Sequence, residues 1–342
     1  GVAGGGNEFA HHHHHRHHHR HHHRHHHHQN DSSSSSSSSF CPYSSLLEAT
    51  LLPRLCATLA SEQLWDPVGD SRRQRGVALL EAWEAAVPAG VLAERVAEGA
   101  AFPRLDRALR SWEWHSKSSS STSSSSSLPH QWLHPWLPWL PSRLPDLWPA
   151  VRQKLARALE RCWKEEEEEE EEGEGKEEGK EEGKHDSVAE ALALLRPWRA
   201  VFSSSSSSSA PSSSEKGSTP PPSQWDRLLS RAVLPRLRTL LSPPSSSAAG
   251  VGGGRGKLEI NPSAQDLKPW HSAMALATPL LSRAAFSDLL CSTFFPQWHA
   301  VLRAWLHNPD ADFGEVAAWY EGWKALLPEG VAGDSRVRAQ LE

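Results

Sequence analysis

Apolar positions along this chain fall at helical spacing, and one short pattern returns four times. Leu46-Leu47 leads to Leu52-Pro53-Arg54-Leu55 and Leu59, and Val96 leads to Phe102-Pro103-Arg104-Leu105 and Leu109. Leu228-Leu229 leads to Leu234-Pro235-Arg236-Leu237 and Leu241, and Leu289-Leu290 to Phe295-Pro296-Gln297-Trp298 and Leu302. Each copy has an apolar residue just before the proline, another two after it and a leucine six after it. Proline has no N–H and a fixed φ, so it suits the first turn of a helix, and the residues at +2 and +6 then share one face. The pattern predicts helix, break, helix. A single unit of this kind cannot bury its stripe, so the units must stack, which predicts an all-α, helical repeat-like (α-solenoid-type) array.

Other signals agree. Ser45 with Glu48, Ser187 with Glu190 and Asp312 with Glu315 each have the spacing of a capping box ahead of an apolar run. Val316, Trp319, Trp323 and Leu326 recur at helical spacing, as do Trp298, Leu302 and Trp305. Alternation of period two is confined to 257–260, so strands are expected to be few.

Between these segments the chain is low in complexity. Residues 1–43 read as a disordered His/Ser-rich tail, and 44–342 as a helical domain interrupted by disordered loops near 115–127, 164–186, 203–223 and 242–256. These stretches hold too little apolar surface to offset the entropy of ordering, and long surface loops add little closure entropy. The chain opens on glycine and Met274 is its one methionine, so a fragment of a longer protein is expected.

Composition sharpens this picture. Hydrophobic residues make up 37%, yet there are 16 tryptophans against 2 tyrosines and 8 phenylalanines, so the average is diluted by tracts while the remaining segments can build a large core. Net charge is −5, but 164–186 alone holds thirteen glutamates and an aspartate against four lysines. The rest carries 32 basic against 27 acidic residues, mildly basic and compatible with an RNA-rich setting. Four cysteines lie too far apart in sequence for a zinc knuckle, and no apolar run reaches membrane-spanning length. Buried, inert thiols in a reducing compartment are expected.

Candidate chemistry is sparse. In 131–141, QWLHPWLPWLP, prolines should prevent a helix, and Trp132, Trp136, Trp139 and the later Trp148 are too apolar to face water. An extended strap packed between helices is favoured over an exposed polyproline ligand. His134 lacks a paired carboxylate or second ligand at useful spacing, so a packed, hydrogen-bonded histidine is expected. The tract 11–28 holds 15 of the 22 histidines and would chelate metals loosely, without fixed geometry. Trp319, Tyr320, Trp323 and Lys324 could form a stacking surface for single-stranded RNA, but their tryptophans coincide with the apolar stripe, which favours core packing. No phosphate loop, nucleophile elbow or zinc-protease helix is present, so no enzyme, cofactor or metal centre is expected.

Taken in order, Trp132-Leu133-His134-Pro135-Trp136-Leu137-Pro138, Pro197-Trp198 leading to Val201-Phe202, Ile260-Asn261-Pro262, Phe295-Pro296 with Trp298, Trp305-Leu306 and Trp319-Tyr320-Glu321-Gly322-Trp323-Lys324 resemble the GCF-type C-terminal region of the tuftelin-interacting protein family. The resemblance covers most of 44–342, insertions excluded, and 266–284 departs from it. It implies a nuclear splicing factor that promotes spliceosome disassembly with a DEAH-box RNA helicase, the C-terminal helices serving as a non-catalytic scaffold. Partners would be spliceosomal proteins and that helicase, with Trp132, His134, Pro135, Trp136, Pro138, Trp198, Trp319, Tyr320, Trp323 and Lys324 as partner-binding or structural residues. The G-patch by which such factors recruit the helicase is not found in this sequence. A second GCF-containing family, the GC-rich-sequence DNA-binding factors, makes direct DNA or RNA binding the alternative, and no membrane role is expected.

Overall fold

The computed structural model describes residues 42–69, 72–114, 127–172, 186–204, 222–243, 257–263 and 265–342. The chain divides into two units, 1–45 and 46–342, and the architecture below is that of the second. No strand occurs among the described residues, and the α-helical segments run in this order. First come α1 (Pro42–Leu46), α2 (Leu52–Ala60), α3 (Arg75–Trp83), α4 (Ala89–Val91), α5 (Phe102–Ser111) and α6 (Pro129–Leu133). Then follow α7 (Trp148–Glu172), α8 (Ser187–Leu195), α9 (Arg199–Ser204), α10 (Gln224–Ala232), α11 (Leu234–Leu241) and α12 (Lys268–Leu280). Last are α13 (Arg283–Leu289), α14 (Phe295–Leu306), α15 (Phe313–Ala325), α16 (Glu329–Ala332) and α17 (Ser335–Leu341).

Each layer packs on its sequence neighbours. The α2 helix lies on the segment Leu92–Ala101, α5 on α7, α7 on α8 and α10, and α8 and α11 on α12. Next, α11 meets Leu290–Phe294, and α14 meets α15. One apolar core, with members from Leu47 to Val337, threads these layers. This is the all-α repeat-like array that the proline pattern predicts, because each stripe is covered by the next layer.

The predicted break at the proline is corrected. In three copies the helix runs on through a π-helical turn: Leu47–Leu51 before Pro53, Leu92–Ala101 before Pro103 and Leu290–Phe294 before Pro296. The residue ahead of each proline donates five places back, Leu52 to Leu47, Phe102 to Ala97 and Phe295 to Leu290. Proline cannot donate to the carbonyl four residues back, and its ring collides with it in an α-helix. Shifting the preceding bonds to the i→i+5 register opens that turn, so the axis continues. Only the third copy interrupts the helix, at Val233 (φ −100°, ψ −45°) between α10 and α11.

Two of the three capping assignments change as well. Ser45 lies inside α1, and the N-cap of α8 is Asp186, which accepts from the Ala189 amide, so Ser187 is the first helical residue. Asp312 does cap α15, accepting from the Gly314 amide. The reciprocal box belongs instead to Ser223 and Asp226, at the start of α10. Of the expected loops, the acidic one begins later than read, since α7 carries helix to Glu172. The tail and most of the other tracts lie outside the described residues. Period two at 257–260 makes no strand; Leu258 and Ile260 are buried, and the Leu258 amide donates to Leu240 O at 2.8 Å.

Candidate functional site

The stretch 131–141 is packed, as expected of a strap, but it is not extended. It coils as α6, the 3-10 turn His134–Trp136, further turns and the 3-10 turn Leu144–Leu147 before α7 begins at Trp148-Pro149. Prolines sit at the N-terminal positions of these short turns, where their missing N–H costs nothing. Short turns let four indoles reach inward within seventeen residues: Trp132, Trp136, Trp139 and Trp148 are all buried.

Around Trp198 these rings form a first aromatic centre. Trp198 stacks on Phe202 at 5.4 Å between centroids, while Trp148 and His134 meet it edge-on at 5.6 and 4.7 Å. Trp136 tilts against Trp65 at 5.0 Å. Trp65 was not singled out by any motif, although an isolated tryptophan between two helical stripes is itself a burial signal. Its indole N–H donates to Arg73 O at 3.0 Å. The Arg104 guanidinium lies 4.9 Å from its ring.

His134 is packed, but its Nε2 finds no hydrogen-bond partner among the described residues, which corrects the expected bonded histidine. Burial and the neighbouring His130, with ring centroids 5.8 Å apart, push its pKa down to about 4, so the ring is neutral near pH 7. His130 is also lowered, by burial first and then by Arg73. Pro135 is half-buried and Pro138 exposed at the end of this group.

A second aromatic centre gathers the C-terminal motif. Trp323 is buried against Trp270 and Phe294, at 5.3 and 5.2 Å, and Trp319 stacks on Trp298 at 5.6 Å with planes 9° apart. Tyr320 donates its hydroxyl to Leu341 O at 2.7 Å, and His299 Nε2 lies 2.7 Å from Gln340 O, so α17 is tied to α14 and α15. Lys324 is exposed, 3.4 Å from Glu321 and 5.9 Å from the Tyr320 ring. Core packing therefore claims Trp323 fully and Trp319 in part, Trp319 being half-buried against the core. The two groups of motif residues share no ring contact among the described residues.

In three of the four copies the polar residue one place after the proline does work that the apolar pattern does not reveal. Arg104 donates to Leu59 O at 2.7 Å and Ser61 O at 2.9 Å, closing the C-terminus of α2. Gln297 donates to Leu241 O, closing α11 in the same way. Leu59 and Leu241 hold the same place, six after the proline, so the second copy grips the first as the fourth grips the third. Arg236 instead reaches α7, with nitrogens 2.6 and 2.8 Å from Glu167 and Glu166. The Arg236 side chain is only 11% exposed and bridges two carboxylates, sheltered Glu166 and exposed Glu167.

No group of three metal-ligating side chains occurs among the described residues. An open cleft lined by Glu62, Asp66, Arg72, Arg104 and Arg107 has its guanidiniums partly committed, since Arg72 donates to Glu62 O and Gln63 O. Cys162 is buried, its thiol pushed up to about 12 by burial and by Glu190, Glu166 and Glu165, so it is a poor nucleophile. Cys56 and Cys291 are half-buried, with burial raising both. No described helix is long and apolar enough to cross a membrane.

Comparison with known proteins follows these features. Residues 20–170 match the family model described as GC-rich sequence DNA-binding factor-like protein. The chain is 28% identical over 303 residues, 88% of its length, to tuftelin-interacting protein 11 of Danio rerio, and equally to septin-interacting protein 1 of Drosophila melanogaster. It is 23% identical over 333 residues to the septin and tuftelin-interacting protein 1 homolog of Dictyostelium discoideum. The chain spans about 28% of the length of the first two relatives and 30% of the third. In these matches, as in the order of its tryptophan- and proline-bearing motifs, the chain is similar to members of the tuftelin-interacting protein family.

Proposed function

We propose that this chain is a non-catalytic helical scaffold in pre-mRNA splicing, acting in the nucleus on spliceosome disassembly together with a DEAH-box RNA helicase. One observation carries the reading: the tryptophans of the family-like motifs are spent on building two interior aromatic centres, so what the array offers a partner is a shaped helical surface. The names of the relatives, which describe proteins that interact with tuftelin or septin, favour protein binding as the mode of action. A rigid array that holds one partner while a tethered segment presents another raises the local concentration of the second without new contacts. Affinity capture from nuclear extract with the full chain should recover spliceosomal proteins and the helicase. Their consistent absence overturns the reading.

Direct nucleic-acid binding is a second reading, favoured by the description of the matching family model. Such binding would rest on phosphate contacts and weaken steeply with salt. Titrating duplex DNA and single-stranded RNA at two ionic strengths decides it, and salt-insensitive or absent binding removes it.

A further inference from the structure

The four copies of the proline pattern are equivalent in sequence but not in surroundings. Seven places before the proline, Val96, Leu228 and Leu289 are 0%, 3% and 3% exposed, whereas Leu46 of the first copy is 59% exposed. One place after the proline, Arg104 and Gln297 each close the end of a helix packed ahead of them, and Arg236 takes two side-chain carboxylates of α7. Arg54 of the first copy is exposed and has no partner among the described residues. The π turn between Leu46 and Arg54 takes in one extra residue, roughly 100° of rotation, which brings the two residues near one line on the helix surface. The first repeat thus presents, uncovered, the combination that every later repeat uses to seat a neighbour: an apolar residue and a polar hand.

What such a surface takes is visible within the molecule. The third copy, which shares both leucine and arginine with the first at these places, seats the acidic half of α7: Leu228 is covered, α10 packs on α7, and Arg236 takes Glu166 and Glu167. In a second copy of this chain Glu166 and Glu167, the pair that such a surface would take, are already held by that copy's own Arg236, which favours a helix from another protein.

We propose that the Leu46–Arg54 face of the first repeat docks the acidic C-terminal end of an amphipathic helix from a partner protein, as Arg236 takes α7. This surface is argued independently of the splicing reading, and it can fail or stand without it.

A fluorescent peptide with the sequence of residues 155–168, which carries the α7 leucines and Glu165 to Glu168, serves as the probe against the full chain. Anisotropy should report binding that weakens with salt and drops about tenfold or more with Arg54→Glu, the cost of turning a charge-assisted pair into a like-charge one. Leu46→Glu should weaken it likewise. A peptide with both Glu166 and Glu167 replaced by lysine should bind the Arg54→Glu chain better than the unaltered chain. Both substituted residues are exposed, so circular dichroism should be unchanged. The proposal is overturned if the peptide does not bind, or if Arg54→Glu leaves binding as it was. It is overturned equally if only Arg236→Glu abolishes binding, or if a peptide of glutamates without leucines binds as well. Self-association abolished by Arg54→Glu, seen in sedimentation, would place a second copy on this face instead.

Discussion

The two repeat pairs solve one geometric problem with different chemistry. In the first, Arg104 closes α2 and also covers Trp65; in the second, Gln297 closes α11 with a neutral amide. Each pair adjoins an aromatic centre, and these differ in the same sense. The first contains His134 with an unpartnered nitrogen, while the second has His299 within bonding distance of Gln340 O and Tyr320 bonded to Leu341 O. The array can therefore keep its geometry while exchanging charged for neutral contacts, provided that each helix end still meets a donor. What is held constant is the hydrogen-bond requirement of the last carbonyls, which must be met wherever a helix end is covered.

The comparison breaks most visibly at the centres themselves. Trp198→Ala and Trp298→Ala each remove a fully buried indole, and each should cost about 3–5 kcal/mol in chemical denaturation. If the two halves are one cooperative core, both variants should lower a single transition. If the halves are separable, each variant should split the transition and leave the other part unchanged.

A pH titration tests the first centre alone. The His134 pKa is depressed in the folded chain to about 4, against about 6.5 unfolded, so between these values the unfolded chain binds more protons. Stability should be insensitive to this group above about pH 6.5, fall as the pH drops from there to about 4, and level off below. Allowing for partial exposure, the loss is on the order of 2 kcal/mol. His134→Gln should flatten that stretch of the curve, and an unchanged slope would mean that another group is responsible. His130, whose ring faces it, and Arg73, which acts on His130, are kept in the variant.

Much of this was legible in the residues, and the failures have physical causes. The place +2 after each proline was readable because side-chain periodicity records which face is buried, and Leu55, Leu105, Leu237 and Trp298 are all buried, whereas Phe102 and Leu234 at −1 and Leu302 at +6 are half-buried. The π turns were not, because the choice between bonds four and five residues long leaves no mark on hydrophobicity. Asp186 and Ser187 are adjacent cap-formers, so the pattern placed the cap one residue late. The strap 131–141 was read as extended because prolines forbid one long helix, yet they do not forbid a string of short turns that each begin at proline. Trp319 and Trp323 could be assigned to the core from their coincidence with Val316. The gripping role of Arg104 and Gln297 could not, since their acceptors lie 45 and 56 residues away; the only hint was that the place after proline is polar in all four copies.

Exchanging the two grips measures how far they are interchangeable. Arg104→Ala removes a charged donor from two carbonyls and should cost about 1.5–3 kcal/mol, whereas Gln297→Ala removes a neutral donor and should cost about 0.5–1.5 kcal/mol. Arg104→Gln should recover part of the first loss but not the contact over Trp65, worth about 0.5–1 kcal/mol. Equal losses for both alanine variants would mean that charge adds nothing at this place.

The smallest effect separates the continuous helices from the interrupted one. Pro53→Ala supplies an N–H where a π turn now absorbs its absence, so the segment Leu47–Leu51 can return to the α register. That return would rotate everything before it by roughly 100°, moving Leu47 out of the core, so the packing should hold the π turn in place. The net change is then the loss of proline's stiffening of the unfolded chain, a destabilisation within about 1 kcal/mol. Pro235→Ala acts where the helix is already interrupted at Val233, and the freed N–H can join α10 to α11 without disturbing an existing register. Amide exchange should therefore slow around Val233 in Pro235→Ala and stay unchanged around Leu51 in Pro53→Ala. Equal slowing at both places would show that the proline, and not the packing of the apolar stripe, sets the π turn.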